Sequence, residues 1–84
     1  MHAISGRVIT VSDRCAAGER PDVSGPTAAR LLTDAGVRID RVVVVPDSVR
    51  AIREAISDAL RQGCRLILTT GGTGIGPRDV TPEA

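Results

Sequence analysis

Three short runs of β-branched and aliphatic residues alternate along the chain with two stretches of helical periodicity, and this alternation constrains the fold more than any other feature. Arg7-Val8-Ile9-Thr10-Val11-Ser12 has the composition of a strand, and the polar cluster Asp13-Arg14-Cys15-Ala16-Ala17-Gly18 reads as the loop that stops it. After Ser24-Gly25-Pro26, the residues Ala28, Leu31, Leu32 and Ala35 recur at i, i+3, i+4 and i+7, one face of an amphipathic helix that Gly36 closes. Arg41-Val42-Val43-Val44-Val45 has no polar alternation, as expected of a parallel strand buried on both faces, and Pro46 ends it. This second strand is expected to be central or well covered. Asp47 or Ser48 can N-cap a second helix whose apolar stripe is Val49, Ile52, Ile56 and Leu60, filled in by Ala55 and Ala59 and closed by Gly63. Its wet side carries Arg50 with Glu54 and Asp58 with Arg61, spacings that suit solvated ion pairs. Leu66-Ile67-Leu68-Thr69-Thr70 makes the third strand and runs directly into Gly71-Gly72-Thr73-Gly74-Ile75-Gly76-Pro77.

Strand, helix, strand, helix, strand implies two right-handed crossovers, hence a parallel sheet in a three-layer α/β/α arrangement. The 84 residues allow one domain, 1–84, with a thin core. In such a sheet the ligand crevice lies beyond the carboxyl ends of the strands. Those ends deliver Ser12-Asp13, Pro46-Asp47, and the glycine loop followed by Arg78-Asp79, so three polar clusters converge on one edge. A parallel sheet needs both faces covered, and two helices cover little. Asp79-Val80-Thr81-Pro82-Glu83-Ala84 resembles the start of a third helix, with Thr81 as N-cap and Pro82 at the first helical position. The expectation is the front half of a larger fold, truncated after the third strand, or a subunit that covers its apolar face by self-association.

Composition removes several classes of function. A net charge of +1 and the absence of Phe, Tyr and Trp argue against binding nucleic acid by charge or by base stacking. All 11 basic residues are Arg, so no Schiff-base or P-loop lysine chemistry is available. His2, the one histidine, adjoins Met1 at a terminus that frays by default. Cys15 and Cys64 match neither a Cys-x-x-Cys pair nor a zinc spacing and read as free, buried or half-buried thiols. The longest apolar runs are far too short to span a bilayer, so no membrane is expected and a cytoplasmic protein is the simplest reading.

The glycine loop has Pro77 where a Walker A motif needs Lys, and its G-x-G-x-G spacing differs from a dinucleotide fingerprint. A glycine turn after a parallel strand can still offer consecutive N–H groups to a phosphate, with Thr73 adding a hydroxyl donor; the competing reading is a flexible connection needing positive φ. Asp47 at a helix start is explained equally by capping. Asp79, beyond the glycine turn in what reads as a Pro-bounded loop, has no evident capping task. Two carboxylates near a phosphate suggest Mg²⁺, which is typically held by one or two carboxylates plus phosphate oxygens. Asp13 fits a turn residue as well as a ligand, and Arg78 fits a phosphate clamp as well as an ion pair with Asp13 or Glu83.

Thr69-Thr70-Gly71-Gly72-Thr73-Gly74, followed by Pro77-Arg78-Asp79-Val80-Thr81-Pro82-Glu83-Ala84, resembles the molybdopterin-binding signature of the MogA/MoaB family, shared with the G domain of gephyrin and its plant counterpart. Val11-Ser12-Asp13-Arg14, Asp22-Val23-Ser24-Gly25 and Val45-Pro46-Asp47 also resemble family motifs in the same order. The resemblance implies a trimeric enzyme of molybdenum cofactor biosynthesis that uses Mg-ATP to adenylylate molybdopterin and releases pyrophosphate. It places catalysis and Mg²⁺ handling on Asp47 and Asp79. Substrate binding falls on Ser12, Asp13, Gly71, Gly72, Thr73, Gly74, Arg78 and Thr81. It also implies contact with the molybdate-inserting protein of the same pathway. Family members continue past the position of Ala84, so the N-terminal half of the family fold is expected here, and a non-catalytic molybdopterin-binding module or an inactive fragment stands as the alternative.

Overall fold

The computed structural model describes residues 4–71 and 78–80, the last three as backbone. Strand β1 (Ile4–Val11) pairs in parallel with β2 (Val37–Val45) on one side and with β3 (Leu66–Gly71) on the other. A short β4 (Arg78–Val80) adds antiparallel to β3, so the strand order is β2-β1-β3-β4. Helix α1 (Asp13–Ala16) is a single turn after β1, while α2 (Ser24–Asp34) and α3 (Val49–Arg61) form the two crossovers. The α/β class and the parallel three-strand unit expected from the alternation are both present.

The chain steps from β1 to β2 and then back past β1 to β3. Crossovers of one hand that run in opposite directions must lie on opposite faces of the sheet. Accordingly α3 packs through Ala51, Ile52, Ala55, Ile56 and Ala59 on the face carrying Ile9, Val11, Val43, Val45 and Ile67. Helix α2 lies on the other face, where Gly25 is closed in by Thr10 and Val42. Because β1 has a neighbour on each side and a helix over each face, its last six residues are all buried.

Several expectations are corrected by these positions. The valine run belongs to β2, which is the edge strand and only half-buried over most of its length. An apolar run without alternation reports a helix on each face and says nothing about neighbours within the sheet. Strand β2 also begins earlier, at Val37, where apolar and polar residues do alternate. Arg78-Asp79 lies in β4 rather than in a loop, and the helix start expected at Thr81 lies outside the described residues. Asp13–Ala16 forms a helical turn rather than plain loop, with Ser12 as its N-cap. In α2, Ala28 and Leu32 are half-buried, whereas Leu31 is 65% exposed. In α3 the buried stripe is shifted toward the alanines, which leaves Val49 74% exposed. Both cysteines are free thiols, Cys15 half-buried and Cys64 buried.

Arg7 accounts for the register of β1 with β2. Gly6 pairs with Ile39 and Val8 with Val42, so Arg7 alone opposes the two residues Asp40 and Arg41. Such a β-bulge shifts every later residue of its strand by one, and a one-residue shift exchanges the two faces of a strand. The bulge therefore sets Val43 and Val45 toward α3 and turns Asp40 onto Arg7. Arg7 is only 1% exposed; its Nη2 and Nε donate to the two carboxylate oxygens of Asp40 at 2.6 and 3.1 Å. Its Nη1 reaches Asp58 of α3 at 2.9 Å, so Asp58 is committed to this pair rather than to Arg61, while Arg50 and Glu54 do pair on the wet side. Hydrogen bonding to Arg7 holds the Asp40 carboxyl below the usual carboxylate range, and burial pushes the neighbouring Cys64 thiol up.

A carboxyl whose pKa is depressed by folding stabilises the fold above its unfolded value, and that contribution is lost as pH falls through the folded value. Asp40→Asn should therefore lower stability at pH 7 by about 2 kcal/mol, less than for a fully enclosed pair because the Asp40 side chain is 39% exposed. The acid limb of a urea-denaturation series against pH should also flatten. Unchanged stability together with an unchanged acid limb would contradict this role.

Candidate functional site

The three parallel strands end level. Val11 pairs with Val45 on one side and with Gly71 on the other, so one row of the sheet closes all three carboxyl ends. Gly71 needs its φ of +86°, and a Cβ there would strike the Val11 carbonyl. Beyond this row the chain continues into short polar caps. The Ser12 N–H donates to the Val45 carbonyl at 2.9 Å, and the Ser12 hydroxyl accepts from the Cys15 N–H at 3.2 Å to cap α1. One carboxylate oxygen of Asp13 accepts the Asp47 N–H at 2.8 Å, which ties the end of β1 to the end of β2. Ser48, not Asp47, caps α3, through the Ala51 N–H at 3.3 Å. The Asp47 carboxylate is thus left exposed at the rim with no capping bond.

These caps border an open cleft of about 580 Å³, within the range of small-molecule sites, to which Ser12, Asp13, Asp47 and Gly71 all contribute. Its floor is a relay of polar side chains between the sheet and the start of α2. Thr10, on β1, donates to one oxygen of Asp22 at 2.9 Å. The other Asp22 oxygen accepts the Gly25 N–H at 3.1 Å. Thr70, on β3, donates to Thr10 at 3.3 Å, and Ser24 lies 3.1 Å from Thr70. Among the described residues no buried side-chain nitrogen or oxygen lacks a partner, the buried hydroxyls of Thr10 and Thr70 included.

Of the residues expected in a site, Ser12, Asp13, Asp47 and Gly71 are brought together at one cleft. Arg78 and Asp79 lie in β4, opposite Thr69 and Leu68 of the strand that feeds the cleft. Gly72, Thr73, Gly74 and Thr81, like the side chains of Arg78 and Asp79, lie outside the described residues. The structure adds Asp22, Ser24, Arg14 and Arg20 to the lining. A signal for the first two was present in the Asp22-Val23-Ser24-Gly25 motif; a second was the pair of hydroxyls, Thr10 and Thr70, near the carboxyl ends of their strands. No group of three or more metal-ligating side chains exists among the described residues. One or two free carboxylates, such as Asp47 and the second oxygen of Asp13, suit a Mg²⁺ ion that arrives on phosphate oxygens better than a resident metal held by protein alone.

Comparison with known proteins follows the same lines. Residues 7–84 match the model of the probable molybdopterin binding domain, and the chain belongs to that family. It is 53% identical over 77 residues to a molybdenum cofactor biosynthesis bifunctional protein of Synechococcus elongatus, covering 92% of this chain and 24% of that one. It is 43% identical to a molybdopterin adenylyltransferase of Pyrococcus furiosus, covering 92% of this chain and 45% of that one. A crystal structure of a molybdopterin biosynthesis protein from Mycobacterium abscessus superposes with a TM-score of 0.77 at 44% identity, over 93% of this chain and 49% of that one. The chain thus spans less than half the length of these relatives.

At Gly25 helix α2 lies close against the sheet, because a Cβ there would collide with Asp22, Thr10 and Val42 together. Gly25→Ala should cost roughly 1–3 kcal/mol, as overpacking does, and should push α2 away from the cleft floor. Denaturant unfolding measures the first effect, and amide exchange at residues 24–27 the second; a variant as stable and as protected as the parent would contradict this packing.

Proposed function

We propose that this chain provides the substrate-binding carboxyl edge of a molybdopterin adenylyltransferase acting in molybdenum cofactor biosynthesis. The observation that carries the reading is the convergence of Ser12, Asp13, Asp47 and Gly71 on one cleft at the ends of three parallel strands. The family, and relatives named as molybdopterin adenylyltransferases, support the same choice of chemistry. In this reaction an oxygen of the pterin's phosphate attacks the α-phosphorus of ATP; a new P–O bond forms, and the bond to the departing pyrophosphate breaks. The protein then has to position two anions and neutralise charge, and needs no nucleophile of its own. Lys is absent from the chain and His2 is its one histidine, which suits such a division of labour.

Asp47 and Asp79 are proposed to hold the Mg²⁺ that accompanies ATP. Arg14 and Arg20, which line the cleft, join Arg78 as candidate partners of phosphate oxygens. Ser12 and Asp13 are proposed to border the bound substrates, with Gly71, Gly72, Thr73, Gly74 and Thr81 completing the wall. Assembly into a homotrimer, contact with the molybdate-inserting protein and a cytoplasmic location belong to the same proposal. Exposed Val23, Leu31 and Val49 support self-association, and no helix of the described residues is long and apolar enough to cross a membrane. A molybdopterin-binding module without turnover is the second reading, favoured by the family's definition as a binding domain.

Titrating molybdopterin into the chain while following pterin fluorescence tests binding directly, because no Trp or Tyr obscures the signal. Saturable binding and pterin-dependent pyrophosphate release are expected. Asp47→Asn and Asp79→Asn should each leave pterin affinity within about threefold and lower pyrophosphate release by roughly 100-fold, the scale of lost transition-state charge stabilisation. Unchanged turnover in both variants overturns the assigned roles, binding without pyrophosphate release selects the second reading, and no binding overturns both.

A further inference from the structure

The hydroxyl relay under the cleft has a fixed direction. A carboxylate only accepts hydrogen bonds, and a serine or threonine hydroxyl has one proton to give and two lone pairs to receive with. Both oxygens of Asp22 are in use, one accepting the Gly25 N–H and the other the Thr10 hydroxyl at 2.9 Å. Thr10 has therefore spent its proton and can only accept from Thr70, at 3.3 Å. The 3.1 Å contact between Ser24 and Thr70 fits either hydroxyl as donor by its own geometry; with the Thr70 proton given to Thr10, Ser24 is the one that donates. Thr10 and Thr70 are buried, so water cannot readily replace a member of the chain and reverse it. Ser24, by contrast, is exposed and lines the cleft. Its proton points back into the protein, and only lone pairs face the ligand.

We infer, on the reading of the cleft proposed above, that Ser24 is a specificity-determining residue whose hydroxyl is held as an acceptor and selects a ligand carrying an exocyclic ring amine. A phosphoryl oxygen has no proton to offer there and would meet the Asp22 carboxylate, which lines the same cleft. Arg14 and Arg20 are the groups of this cleft suited to phosphate. A heteroaromatic amine donates, is uncharged, and is common to the pterin and to adenine. Asp22 thus acts at a distance: as a positioning residue it sets the polarity of Ser24 through two threonines. A site built to accept a donor discriminates against an analogue that lacks it, because the acceptor is then left unmatched.

The test compares amine with oxo analogues in two pairs. Mg-ATP is measured against Mg-ITP by direct titration, and pterin against lumazine as competitors of bound molybdopterin. One pair, the one whose ring rests on Ser24, should favour the amine about tenfold, and the other pair should differ by less than twofold. Ser24→Ala should bring the discriminating pair to within twofold of equality. Asp22→Asn keeps an acceptor for the Gly25 N–H but donates to Thr10, which reverses the relay and makes Ser24 a donor; the preference should then turn toward the oxo analogue. A merely structural role for Asp22 would weaken both analogues alike. Equal binding within both pairs by the parent chain, or a preference that survives Ser24→Ala, overturns the inference and leaves the proposed function standing. Failure of both Mg-ATP and molybdopterin to bind overturns the proposed function, and the inference with it.

Discussion

A single buried guanidinium, that of Arg7, ties the central strand to the edge strand beside it and to the helix above it. On free-energy grounds an apolar set of similar volume could match a buried ion pair. Such a set would not require two residues of β2 to oppose one of β1, which is the register that the pairing with Asp40 holds. From that bulge onward Val42 and Val44 face α2 and Val43 and Val45 face α3, and the strand ends fall level at Val11, Val45 and Gly71. The level ends, in turn, bring the caps that follow them within hydrogen-bond reach of one another.

The molecule is divided along its strands. The amino-terminal half of the sheet carries the ionic clamp, with Cys64 buried next to it. The carboxyl half carries hydroxyls and carboxylates whose bonds link separate elements: Asp13 to the start of α3, Asp22 to α2, and Ser24 to β3. The buried hydroxyls near the strand ends, Thr10 and Thr70, are tolerated because each finds a partner, and those partners are what position the cleft lining. This is the usual arrangement of open α/β sheets, in which a rigid scaffold ends in loops that carry the chemistry. Charge in the lining is mixed, with Asp13, Asp22 and Asp47 against Arg14 and Arg20, as suits a ligand with both an anionic end and a neutral ring.

Much of this was legible in the chain itself. The alternation of strand and helix patterns identified the class, both crossovers and the edge at which Ser12, Asp13, Asp47 and Gly71 meet. The valine run misled about position, since helices on both faces produce the same pattern at an edge as at the centre. Arg7 read as the first residue of its strand, because its partners Asp40 and Asp58 are 33 and 51 residues away and local spacing cannot pair them. Asp58 looked like a surface partner of Arg61 for the same reason. Thr10 and Thr70 looked like ordinary strand residues; their role emerges only once Asp22 arrives from the loop between α1 and α2. Strand β4 was missed because three residues next to a glycine turn carry no period of their own.

The claim on which the account rests is that ligand binds at the carboxyl ends of β1, β2 and β3, and not in the shallower hollow of about 450 Å³ between β2 and the start of α3. Mapping amide chemical shifts of the ¹⁵N-labelled chain during addition of molybdopterin tests it most directly. The account predicts that shifts concentrate at Ser12, Asp13, Asp22, Ser24, Asp47 and Gly71, with Ala51, Glu54 and Ala55 unmoved. Shifts centred on those last three residues, or scattered without a focus, would contradict it.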